Sequence, residues 1–392
     1  MCIRDRDFLT INLPAMEGGA GLRVPFTVFQ SKFHWEYKTK AAILEVLLWS
    51  FDCLKPGRYP TRRHDGSPWL KSDKTRAKLK GKLPVQGILC EIRGDWDWLN
   101  SWLNFPVWNT GSGMRWLCKA KHVDFKNFSQ NDRETGLCKD SFAQRVVDMG
   151  KELCPFWGWP EPDWMHAVDQ GIGADIAGQL PVELAKCYPG RALKEKVASL
   201  WQDIQLLYNE HHVEYKLHTL TPESLNKGKS KKKTNQVATL KGPAAAVRHL
   251  VPLLPILTAK HFAEGTELQK AYHKLARFLA EAYLCVETNS LQDLPKWGAK
   301  VAGQYMALEA AALRLDPESK DWHIMPKLYL FQHLCESPFP PKSFWRYKDE
   351  TTGGLLKQLF TRRGGKDTPG VNAANCLLKW QQSTAFPAMR QH

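Results

Sequence analysis

The segment VQGILCEIRGDWDWLNSWLNF, residues 85–105, constrains this chain more than any other. Val85 to Ile92 is a nearly continuous apolar run, short enough to be a strand covered on both faces. Arg93, Gly94 and Asp95 end that run, and Trp98, Leu99, Trp102 and Leu103 then recur at helical spacing. Asp95 therefore stands at the carboxyl end of a buried strand, where α/β folds assemble their sites. An Asp directly before a helix also serves as an N-cap, and both readings fit Asp95.

The flanking segments read as follows. RVPFTVFQSKF, residues 23–33, is rich in Val, Phe and Thr and predicts a strand. In TKAAILEVLLWSFDCL, residues 39–54, Ala42, Ile43, Val46, Leu47 and Leu54 share one helical face, and KPGRYP stops the helix. Residues 55–84 predict a loop with a short helix. From 181 to 316 the pattern is helical and amphipathic, as in ALKEKVASLWQDIQLLYNEHH.

A basic loop, NKGKSKKKTNQ at 226–236, interrupts that run. It contains Gly228-Lys229-Ser230, but Glu223 occupies the place of the first glycine of a phosphate-binding loop, which excludes that motif. Lys229, Lys231, Lys232 and Lys233 are candidate contacts to a nucleic-acid backbone; an import signal or plain solvated charge are the other readings. Near the C-terminus, Phe344, Tyr347, Leu355 and Leu359 line one side of a predicted helix that carries Glu350, with Gly353-Gly354 beyond.

PEPDWMHAVDQGIGADIAGQL, residues 160–180, reads as a helix start. Asp163 can accept a bond from a free backbone N–H there as an N-cap. Asp163 and His166 are also three residues apart, so their side chains meet on one helix face and can form part of an active site.

Lys and Arg outnumber Asp and Glu by 55 to 40, a net charge of +15 that points to a polyanion partner, nucleic acid first. No run of about 18 apolar residues exists, which argues against a membrane span. Ten cysteines follow no regular framework, so reduced thiols are expected. The opening MCIRDR reads as a translated sequencing adapter, which sets the start of natural sequence near Asp7.

In order, the elements resemble the catalytic core of DDE transposases, closest to the CACTA (En/Spm-like) and Kyakuja–Dileera–Zisupton types. LCEIRGDWDWL is similar to the segment carrying the second catalytic acid, and RWLCKAK to the short segment behind it. PDWMHAVDQGIGADIAGQL resembles the Asp-x-Met-His segment of that family, and FWRYKDETTGGLLK the helix bearing the final Glu. The resemblance implies an α/β, RNase H-like core with a large, mainly helical insertion and its first strand or strands missing. The expected divisions are adapter at 1–6, core at 7–160, helical insertion at 161–316, and the rest of the core with a tail at 317–392.

The same resemblance implies metal-dependent strand cleavage and transfer at transposon ends. Asp95 and Glu350 would be the ligands of a pair of Mg²⁺ (or Mn²⁺) ions. His166 would orient a phosphate or the attacking group, and Asp163 would fix the tautomer of His166. DNA is the expected partner, in the nucleus, with a homo-oligomer as a further expectation. Two departures stand out. The first catalytic acid of the family lies upstream of residue 23, where Asp7 and Glu17 match it poorly, so the chain is expected to bind DNA with little cleavage. Where relatives carry Cys-x-x-Cys, this chain has Arg115-x-x-Cys118, which removes a zinc ligand.

Overall fold

A computed structural model describes residues 2–3, 6–13, 22–30, 35–84, 86–87, 96–103, 162–225, 237–343 and 345–347. The chain divides into two compact units. Strand among the described residues is confined to an antiparallel meander in the first unit: β1 (Cys2–Ile3), β2 (Arg6–Leu13) and β3 (Leu22–Gln30). β2 and β3 pair from Arg6 opposite Gln30 to Leu13 opposite Leu22, with a register shift between Leu9 and Thr10.

Among the described residues of that unit the longer helices are α1 (Glu36–Leu54) and α3 (Trp96–Leu103). α1 buries Leu44, Leu47, Leu48 and Phe51, an i, i+3, i+4, i+7 stripe. α3 buries Trp98, Leu99 and Trp102, the two indoles stacked with centroids 5.4 Å apart. Lys40 Nζ donates to the Ser101 carbonyl at 2.7 Å and ties the two helices together. Between them, residues 55–84 run as turns with one short helix, α2 (Lys74–Lys78).

The second unit comprises Val123–Asn131 and Pro162–Arg346, and its described residues are mainly helical. A wide, π-type segment, Met165–Ile172, runs directly into α4 (Gly173–Ala185). There follow α5 (Leu193–Glu210), α6 (Ala244–Leu250), α7 (Leu254–Phe262), α8 (Glu267–Thr288), α9 (Leu294–Leu315) and α10 (Pro326–Glu336). α8 packs against α7 and α9, and α10 against α9 and the π-type segment.

Local chemistry explains the boundaries of α8. Thr266 Oγ1 accepts from the Gln269 N–H, while Gln269 Oε1 accepts from the Thr266 N–H, so two orphan donors satisfy each other. Asn289 closes the helix at φ 60°, in the left-handed region that Asn tolerates. Tyr272, Leu275, Ala276, Leu279, Ala282, Tyr283 and Val286 form its buried stripe. After α9, Glu309 Oε1 accepts from the Ile324 N–H at 2.9 Å and meets His323 Nδ1 at 3.1 Å, fixing the turn that buries Trp322 on Tyr272.

Residues 237–240 lie along α4. The Leu240 N–H donates to the Ala174 carbonyl at 2.9 Å, and Thr239 Oγ1 donates to Asp175 at 2.7 Å. Gly178 permits this approach, because a Cβ there would stand 2.5 Å from the Ala238 carbonyl oxygen. One residue further on, the Lys241 N–H donates to the Ser224 carbonyl at 2.7 Å, closing the chain on itself around residues 226–236.

The expectation of an α/β, RNase H-like core is corrected by these elements. The described residues are mainly helical, and their strands form a local meander with no parallel, helix-covered sheet. Helical periodicity alone accounts for most of the apolar pattern. The run at 85–92, which carried the α/β reading, lies outside the described residues except for Gln86 and Gly87. No helix among the described residues is long and apolar enough to cross a membrane.

Candidate functional site

The π-type segment and its approach hold the site. Pro162 leads into Asp163, whose side chain is 1% exposed, and Trp164 anchors the start of the helix. The Trp164 indole is fully buried against Tyr283 and Phe331, each ring centroid 5.9 Å away. With the chain pinned there, Asp163 divides its carboxylate. Oδ1 accepts from the Met165 N–H at 3.1 Å, and Oδ2 is hydrogen-bonded to Nδ1 of His166. The cap and the His–Asp pair, alternatives in the sequence, are thus one arrangement.

His166 is 30% exposed while its partner is buried, so the imidazole bridges the interior and the surface. A carboxylate on Nδ1 fixes the orientation and tautomer of the ring, and exchange with an outside group then falls to Nε2. A base-plus-orienter pair in proton-transfer chemistry requires this same geometry.

The helix behind the pair is shaped to support it. The widened turns bury Met165, Val168 and Ile172, and π-type turns are frequent at functional sites. Lys327 of α10 donates to the Gln170 carbonyl at 3.0 Å, satisfying a backbone acceptor of the wide turn. A Cβ on Gly171 would meet Lys327 Cδ at 2.6 Å and the His166 carbonyl oxygen at 3.2 Å.

Two further carboxylates on the same stretch escaped the sequence reading. Asp169 is fully buried and accepts from the Tyr283 hydroxyl at 2.6 Å. Asp175 accepts from Thr239, and burial pushes its carboxyl above the usual range despite that bond and the field of Lys327. Their signal was available in part. Both fall within an otherwise apolar helical stretch, where a carboxylate needs a partner. The partners, Tyr283 and Thr239, lie 114 and 64 residues away and no local pattern names them.

Of the residues assigned from sequence, the structure brings Asp163 and His166 together. Asp95, Glu350, Lys229, Lys231, Lys232 and Lys233 lie outside the described residues, as does Cys118. Asp163 is suited to orienting His166 and not to holding a hard cation, since both of its oxygens are engaged and it is buried. Comparisons with known protein families, with curated proteins and with solved structures find no match to this chain.

Proposed function

We propose that this chain is a DNA-acting protein of transposase type, in which the Asp163–His166 pair serves phosphodiester chemistry. The observation that carries the proposal is the divided carboxylate of Asp163, one oxygen on the helix start and the other on the imidazole. A capping role alone would leave the second oxygen with no call on a half-exposed His. The net charge of +15 supports a polyanionic substrate, and the order of four short motifs supports strand cleavage and transfer at DNA ends. A nuclear site of action belongs to the same reading.

In that reaction His166 presents Nε2 to a phosphate oxygen or takes the proton of the attacking hydroxyl. Asp163 keeps the ring oriented and offsets the charge of the protonated imidazole. Asp95 and Glu350 are the carboxylates that would hold Mg²⁺ or Mn²⁺, hard ions suited to such oxygens. When bound, the metal supplies activation of the nucleophile and stabilisation of the leaving oxygen.

The test is cleavage and joining of an end-labelled duplex with Mg²⁺ or Mn²⁺. His166→Ala and Asp95→Ala are each expected to lower turnover by about a hundredfold or more, with DNA affinity nearly intact. Cleavage that survives Asp95→Ala overturns the catalytic assignment. A second reading, DNA binding without strand cleavage, is favoured by one observation. Asp7 lies at the amino end of β2, an ill-suited place for the first acid of the family. Salt-dependent binding with no cleavage by the unaltered chain selects that reading.

A further inference from the structure

We infer that the exposed face shared by α8 and α9 is a DNA phosphate-binding surface, an inference that rests on the DNA-binding reading above. The two packed helices carry four exposed cations, Lys274 and Arg277 on α8 and Lys296 and Lys300 on α9. Between them Phe278 and Trp297 lie half-buried, centroids 6.0 Å apart and planes tilted by 39°. The Lys300 ammonium sits 4.3 Å from the Trp297 centroid and 5.3 Å from that of Phe278. Lys296 sits 5.3 Å from Trp297.

What sets Lys296 and Lys300 apart among the described residues of this unit is a ring contact without a carboxylate, since Arg248, Lys260 and Lys342 also lie over rings but each hold one. In the same unit Lys186, Lys260, Lys270, Lys342 and Arg248 each hold a carboxylate. Lys274, Arg277, Lys296 and Lys300 make no ion pair among the described residues, although Glu281 is one turn beyond Arg277 and Asp293 one residue before α9 begins. The rings hold the stems of Lys296 and Lys300 in place, so these two charges are ordered without being neutralised, and Lys274 and Arg277 add exposed charge on α8. Ordered, unneutralised cations along a ridge of two helices fit successive phosphates, and binding releases the counterions those phosphates had condensed.

The rings do not read bases. Lys300 covers the face of Trp297 that a base would stack on, so the surface is expected to grip backbone with little sequence preference. The basic segment 226–236 is thus not the only candidate for DNA contact.

The experiment compares salt dependence of duplex DNA binding for the full chain and for the fourfold variant Lys274→Gln, Arg277→Gln, Lys296→Gln, Lys300→Gln. Each lost phosphate contact should flatten the log–log slope by about 0.9, so the fourfold variant should lose about three to four units of slope. A control that removes equal charge elsewhere, Arg191→Gln, Lys194→Gln, Lys196→Gln, Lys320→Gln, should keep most of its slope. If the fourfold variant fails to fold, Lys300→Gln alone should lose about 0.9 and Lys300→Arg should restore it. An unchanged slope in a folded patch variant overturns this inference and leaves DNA binding standing. Absence of salt-dependent binding by the unaltered chain overturns the DNA reading and this surface with it.

Discussion

Asp163 makes two demands on one carboxylate, and a substitution can separate them. Asn is as good an N-cap as Asp, so Asp163→Asn should keep the Met165 bond and nearly all stability. Its amide nitrogen cannot accept from Nδ1–H, so the proton should move to Nε2. Nitrogen NMR of the imidazole should report that tautomer change; an unaltered His166 signal would show that Asp163 does not set the tautomer. Asp175 gives a second test. Its carboxyl is raised above the usual value of 3.8 by burial, so the folded state binds its proton more tightly than the unfolded chain. Its contribution is therefore most favourable at low pH and is lost as pH rises through the folded-state value. Asp175→Asn, which can still accept from Thr239, should raise the melting temperature at pH 7, with the gain vanishing below about pH 4. An equal gain at both pH values would mean that charge burial is not the cause.

At the scale of elements, Gly178 is where α4 meets a neighbouring backbone. Gly178→Ala places a Cβ 2.5 Å from a carbonyl oxygen that cannot rotate away, so it should cost about 1–3 kcal/mol in denaturant unfolding. A neutral result would mean that residues 237–240 move off the helix readily. The elements themselves were largely legible. The stripe in 39–54 predicted α1, observed as Glu36–Leu54, and Trp98, Leu99 and Trp102 predicted α3. Amphipathic periodicity over 181–316 predicted the helices from α5 to α9, because a 3.6-residue repeat is a local signal that burial reinforces. Two features were not legible. A π-type turn leaves the same apolar residues in nearly the same order, so the stretch around Gly171 reads as an ordinary helix. The fold class differs from the expectation because the described elements are helices with a local meander, and an apolar run of eight residues does not by itself specify a strand.

At the scale of the whole molecule, the net charge of +15 is an excess of cations over carboxylates, and among the described residues Lys186, Arg248, Lys260, Lys270 and Lys342 are matched to carboxylates. The matched pairs are mostly exposed, and each adds little to stability. The candidate site shows a matching asymmetry of legibility. The His–Asp pair is local and could be read from its spacing, whereas the α8–α9 surface joins residues such as Phe278 and Lys300, 22 positions apart, brought together by the packing of two helices.

The bond from Lys241 to the Ser224 carbonyl has a consequence for how this protein can change over time. It joins Ser224 to Lys241 on either side of residues 226–236, and Leu240 and Thr239 are bonded to α4, so the spacing that any sequence between residues 225 and 237 must span is set by the described residues. For such a closed loop, doubling the length costs only about 0.6 kcal/mol. Replacing residues 226–236 by a Gly/Ser sequence of equal length should therefore shift unfolding stability by less than about 1 kcal/mol. A larger loss would show that side chains of this segment contribute to packing. If the loss is small, this position is a port at which lineages can add or delete sequence, or an engineer can splice in a reporter domain, while the helices around it stay as they are.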